Sequence, residues 1–120
     1  MIAVIFEVRP KQEHKQQYLN IAAGLKPILE KIDGFISVER FQSLTDDGKI
    51  LSLSFFENEE AIDRWRQLEA HRNAQEKGRN QLFEDYRLRI AGVIRDYGLQ
   101  DREQAPKDSR ARHDSTKAEE

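Results

Sequence analysis

Cysteine is absent from the 120-residue chain. That excludes disulfides, thiolate zinc sites, iron–sulfur clusters and cysteine nucleophiles. Proline is scarce, at three residues, and tryptophan and methionine occur once each. No apolar run approaches the roughly 18 residues of a membrane span. The opening Met1-Ile2-Ala3-Val4-Ile5-Phe6-Glu7 carries neither a basic leader nor a cleavage site. The expectation is a cytoplasmic protein with no membrane partner. Neither sign of charge dominates: 20 Lys+Arg stand against 22 Asp+Glu, for a net charge of −2. Bulk attraction to nucleic acid is therefore not expected. The chain also lacks a G-x-S-x-G elbow, a phosphate loop and a dinucleotide fingerprint. His14, His71 and His113 share no metal-like spacing, and Asp46-Asp47-Gly48 lacks the rest of a calcium loop. No metal site is expected.

What is present is enough apolar residue for one small core. Hydrophobic residues make up 38% of the chain and charged residues 35%. The large apolar side chains are concentrated in the first 97 positions. Residues 2–9 are β-branched and aromatic and read as a nearly continuous apolar strand of the central, covered type. From 12 to 32 the period changes to three and four, through Tyr18, Ile21, Ala22, Leu25, Ile28, Leu29 and Ile32. This is an amphipathic helix. Pro27 removes the bond to the Ala23 carbonyl and predicts a kink or a split, and Asp33-Gly34 stops the helix. Residues 35–43 and 50–56 read as two strands of a hairpin across the Thr45-Asp46-Asp47-Gly48 turn. Asn58 is placed to cap a second helix with the stripe Ala61, Ile62, Trp65 and Leu68, ending by Gly78. A short amphipathic piece, Leu82 to Tyr86, precedes a fourth strand over 87–97.

The order β-α-β-β-α-β predicts an α+β, ferredoxin-like domain over residues 1–98, an antiparallel sheet with both helices on one face. The other face has nothing from this chain to cover it, so a homodimer through that face is expected. Residues 99–120 hold one Leu, three Ala and no other hydrophobic residue. They read as a charged, flexible tail.

Candidate chemistry concentrates between Trp65 and Tyr86. Trp65 is either a core anchor or the wall of a flat aromatic pocket. His71 is either a helix-end histidine or a general base in a cleft. Six residues on a straight helix set the two roughly 120° apart, so their rings meet only if the helix bends. Arg79 either binds the last helix carbonyls or holds an anionic oxygen of a ligand. Of Phe83 and Tyr86, one is core and the other lines a pocket. Glu7 and Arg40 lie within strands and read as cross-strand pairing partners.

Several segments together resemble the antibiotic biosynthesis monooxygenase domain family. They are Ile2–Val8, Asp33-Gly34-Phe35, Ser43-Leu44, Phe55-Phe56-Glu57-Asn58-Glu59-Glu60-Ala61, Trp65-x5-His71 and Phe83-x2-Tyr86. The resemblance spans about residues 1–97 and implies a dimeric ferredoxin-like fold. It also implies a cofactor-independent monooxygenase acting on a small aromatic phenol or quinol. Trp65, Phe83 and Tyr86 would then form the slot, His71 would take or share the proton, and Arg79 would stabilise the anion. A non-catalytic homodimeric module for a small aromatic ligand needs the same slot. The family's haem-degrading branch is less similar: strand one offers Phe6-Glu7-Val8 and no Asn, and the Trp65-to-His71 interval is short.

Overall fold

The computed structural model describes residues 1–114. Strand β1 (Ile2–Pro10) is followed by a 3-10 turn (Gln12–His14) and helix α1 (Lys15–Leu29). Then come β2 (Phe35–Gln42), β3 (Ile50–Phe56), helices α2 (Glu59–Gln67) and α3 (Glu69–Lys77), a π turn (Gly78–Leu82) and β4 (Phe83–Gly92). The four strands form one sheet in the order β2-β3-β1-β4, with antiparallel neighbours. This is the ferredoxin-like arrangement. The most apolar strand, β1, lies between two others, as its lack of alternation requires.

Pairing sorts each strand into two faces. Val4 opposes Ser54 and Ile90, and Phe6 opposes Ser52 and Leu88. These side chains face the helices, together with Val38 and Arg40 of β2, which pair with the same serines. Ala3, Ile5, Leu51, Leu53 and Phe55 point the other way. The core has two parts. Val8, Tyr18, Ile50 and Leu82 form one cluster, and Leu29, Phe56, Ala61 and Ile62 the other. Phe56, Leu82 and Val8 are almost wholly buried, each contributing about 1.5–3 kcal/mol.

Local chemistry explains the boundaries. The Asn58 side chain accepts a hydrogen bond from the Ala61 backbone N–H at 3.0 Å and caps α2. Gly34 adopts a φ of 92°, and a Cβ there would lie 2.8 Å from the Ala61 Cβ, so only glycine lets the strand start this close to α2. Pro27 does not split the first helix, which runs unbroken over Lys15–Leu29 and ends two residues later. The Asp46 turn is tied to β1 by an ion pair with Arg9.

Two expectations are corrected. Strand four is Phe83–Gly92, not 87–97, because β1 pairs with it from Pro10 to Ile2. The piece expected over Leu82–Tyr86 therefore belongs mostly to the strand. The second helix is two helices, with Leu68 extended between them at φ −68° and ψ 136°. Gly78 is not the end of all helical structure either, since the π turn carries it on to Leu82.

Beyond β4 the chain makes a short helical turn at Lys107–Ser109. The Gly98 N–H donates to the Asp101 carbonyl at 2.8 Å, and the Arg102 guanidinium lies over the Tyr97 ring at 5.4 Å. These contacts tie the segment to itself. The expected tail extends past position 114, outside the described residues. Among the described residues, no helix is long and apolar enough to cross a membrane.

Candidate functional site

Between the helices and the sheet lies a cavity of about 420 Å³. Its floor is the helix-facing side of the sheet: Val4, Phe6, Val38, Arg40, Ser52, Ser54, Phe56, Leu88 and Ile90. Strand β4 is one of the two edges, and its Leu88 and Ile90 remain about half exposed. The helices reach over β1 and β3 but leave these side chains as one wall of an open slot.

All five site residues expected from the sequence line this cavity: Trp65, His71, Arg79, Phe83 and Tyr86. The bend needed to bring Trp65 and His71 together is present. Extended Leu68 breaks the helix and re-aims α3, and the two ring centroids stand 4.5 Å apart at 56°. The Arg72 guanidinium reaches back over the break to the Arg66 carbonyl at 3.4 Å. Burial, and secondarily the Arg66 charge, lowers the His71 pKa to about 4. His71 is therefore a neutral ring at neutral pH, an acceptor facing an aromatic wall.

Phe83 and Tyr86 do not divide into core and pocket, because both line the cavity. Phe83 packs against Tyr18 and Phe6 at centroid distances of 5.6 and 5.8 Å, and Tyr86 packs against Phe6 at 5.7 Å. Gly78 makes room for this cluster: a Cβ there would stand 2.6 Å from the Phe83 ring. Arg79 donates to the Tyr86 hydroxyl at 3.4 Å. It leans across the cavity mouth rather than onto the helix carbonyls.

Two further residues matter, Arg40 and Tyr18. Glu7 pairs as expected, with Arg89 at 3.0 Å and Lys49 at 3.5 Å on the helix-free face. Among the described residues Arg40 forms no ion pair. It lies on the opposite face, directly across from Ser52, and its buried Nε has no hydrogen-bond partner among the described residues. Tyr18, expected on the apolar stripe, is buried beside it. Burial pushes the Tyr18 phenol up, while the Arg40 charge and its hydrogen bonding work against that rise. The hydroxyl keeps its proton at neutral pH and is available as a donor. One signal of Arg40 was present in the sequence: it shares strand parity with Val38 and so occupies a core-facing position.

The family description "Antibiotic biosynthesis monooxygenase" matches residues 1–77. The jasmonate monooxygenase ABM of Pyricularia oryzae is 50% identical over 93 residues, covering 78% of this chain and 43% of that protein. The chain thus spans less than half of that relative's length. Protein YqjZ of Bacillus subtilis is 33% identical over 93 residues, covering 78% of this chain and 79% of the other. Among solved structures, Rv0793 of Mycobacterium tuberculosis superposes with a TM-score of 0.73 at 14% identity, covering 81% of this chain and 98% of the other. At that identity the likeness speaks for the fold. With its sheet, its cavity and these matches, the chain belongs to the antibiotic biosynthesis monooxygenase family.

Proposed function

We propose that the protein is a cofactor-independent monooxygenase of a small, largely apolar substrate carrying an oxidisable phenol or quinol. The observation that carries this reading is the neutral His71 ring set 4.5 Å from Trp65 on the wall of a 420 Å³ aromatic-lined cavity.

The chemistry needs little from the protein. An electron-rich phenol, once deprotonated, transfers an electron to dioxygen, and the two radicals combine through a new carbon–oxygen bond. The resulting hydroperoxide loses water as its O–O bond breaks and a quinone carbonyl forms. One oxygen atom stays in the product, the other leaves as water, and the substrate supplies all four electrons. The slot of Trp65, Phe83 and Tyr86 excludes water from the reactive anion. His71 takes the phenolic proton and returns it to the departing oxygen. With the cavity empty it is a weak base, but negative charge developing beside it raises its proton affinity during transfer. Arg79 at the mouth stabilises the oxyanion.

A second copy of the chain on the helix-free sheet face completes this reading. Ile5, Leu51, Leu53 and Phe55 form an apolar patch there, with Phe41 42% exposed beside them.

The test is oxygen uptake by the full chain with a panel of phenols and quinols, together with jasmonate, the compound named in one relative. No flavin, metal or nicotinamide is added. Uptake that falls about 10²-fold or more in His71→Ala, and recovers as raised pH ionises the phenol unaided, supports the proposal. Ligands that bind beside Trp65 without any oxygen uptake would instead identify a binding module. A Soret band on haem addition, bleached by reductant, would identify haem degradation.

A further inference from the structure

The cavity's charge is one-sided. Among the described residues its lining includes Lys26, Arg40, Arg66 and Arg79 and no Asp or Glu. The chain as a whole carries slightly more acid than base, so this is not a general excess of cations. Most of these cations are exposed side chains at the rim. Arg40 is different: it rises from the floor, with Nε sealed from solvent and unpaired.

A guanidinium N–H taken out of water without an acceptor is costly. Nearly every buried polar group in a folded protein has a partner. β3 supplies no counter-charge, because Ser52 and Ser54 occupy the positions opposite Arg40 and Val38, where an acid would sit in a structural pair. The neighbouring Tyr18 hydroxyl keeps its proton and can only accept from the Arg40 guanidinium, so its own O–H is left to donate to a ligand. Arg40 and the Tyr18 hydroxyl therefore lie on a cavity whose charged lining is all cationic, and the missing element is an anion.

We infer that the cavity binds an amphipathic organic carboxylate, with its head on Arg40 and Tyr18 and its apolar body running past Phe6 and Phe83 toward Trp65. A carboxylate fits better than a phenolate. The guanidinium's terminal Nη groups offer parallel N–H donors that match the two oxygens of a carboxylate. The inference rests on the proposed function only in taking the same cavity as the substrate site. It adds a substrate class: oxidisable molecules that also carry a carboxylate, which fixes which end faces His71.

Trp65 is the only tryptophan and stands on the cavity wall, so its fluorescence reports binding without turnover. The full chain is titrated with ω-phenylalkanoates of increasing length and with the matching primary amides, which are nearly isosteric and uncharged. The expected result is that the best acid binds at least about tenfold more tightly than its amide. In Arg40→Met the acid falls to the amide's affinity while the amide is little changed. Tyr18→Phe lowers acid affinity by a smaller factor and serves if Arg40→Met does not fold. Equal affinity of acid and amide for the wild-type chain overturns the inference, and so does failure of every acid to bind. Acid preference without oxygen uptake on any oxidisable acid would leave the carboxylate site standing and sink the monooxygenase reading. Oxygen uptake on neutral phenols with no acid preference would do the reverse.

Discussion

Replacing His71 by Gln removes a titrating ring from the cavity wall, and the effect on acid stability follows from the geometry. In the folded chain the His71 pKa is lowered to about 4, first by burial and then by Arg66, from an ordinary value of 6.5. Above pH 6.5 the ring is neutral whether the chain is folded or not, and it contributes nothing to the pH dependence. Between 6.5 and about 4 the unfolded chain takes up the proton and the folded chain does not. Stability therefore falls as pH drops through that window and levels off below it. The full interval corresponds to about 3 kcal/mol. The ring is only partly enclosed, which reduces the expected loss to about 1–2 kcal/mol. Urea denaturation followed by circular dichroism, at about pH 7.5 and about pH 4.5, measures it in both chains. The wild type should lose about 1–2 kcal/mol more than His71→Gln across that range. Parallel losses would show that His71 charges freely in the folded state, and the enclosed neutral ring on which the proposed proton transfer rests would be wrong.

Gly78→Ala forces a Cβ to within 2.6 Å of the Phe83 ring and should cost about 1–3 kcal/mol in a thermal melt. Gly24→Ala, with nothing within 4 Å, should be neutral or stabilising by about 0.4–1 kcal/mol, and equal losses at the two sites would refute the crowding argument. Truncation after Gly98 should change stability by less than about 0.5 kcal/mol; aggregation or a much lower melting temperature would show that the segment packs on the body or on a second copy. Leu53→Asp, on the helix-free face, should leave the fold intact and turn a dimer into a monomer by light scattering. A wild-type chain already monomeric at micromolar concentration would refute the expected interface.

Element order and type were legible in the sequence wherever the signal is local. A period of two marks β3 and a three/four period marks α1, while Asn58 and Gly34 carry cap and turn chemistry of their own. The aromatic residues of the slot were legible as well, as a cluster of types. Their convergence was not. Gln67-Leu68-Glu69 contains no proline or glycine to announce a break, yet extended Leu68 is what turns His71 onto Trp65. Phe83 and Tyr86 sit three residues apart, a spacing that fits a helical turn, and only pairing with β1 makes them strand. Arg40 read as a cross-strand pairing partner, but that partner depends on what the neighbouring strand presents. Serines rather than an acid lie across from that face, so its charge is left for the cavity. Backbone propensity acts within a few residues and can be read along the chain. Which side chains share a cavity, and which charge is left without a partner, depends on strands distant in sequence, and only the tertiary structure decides it.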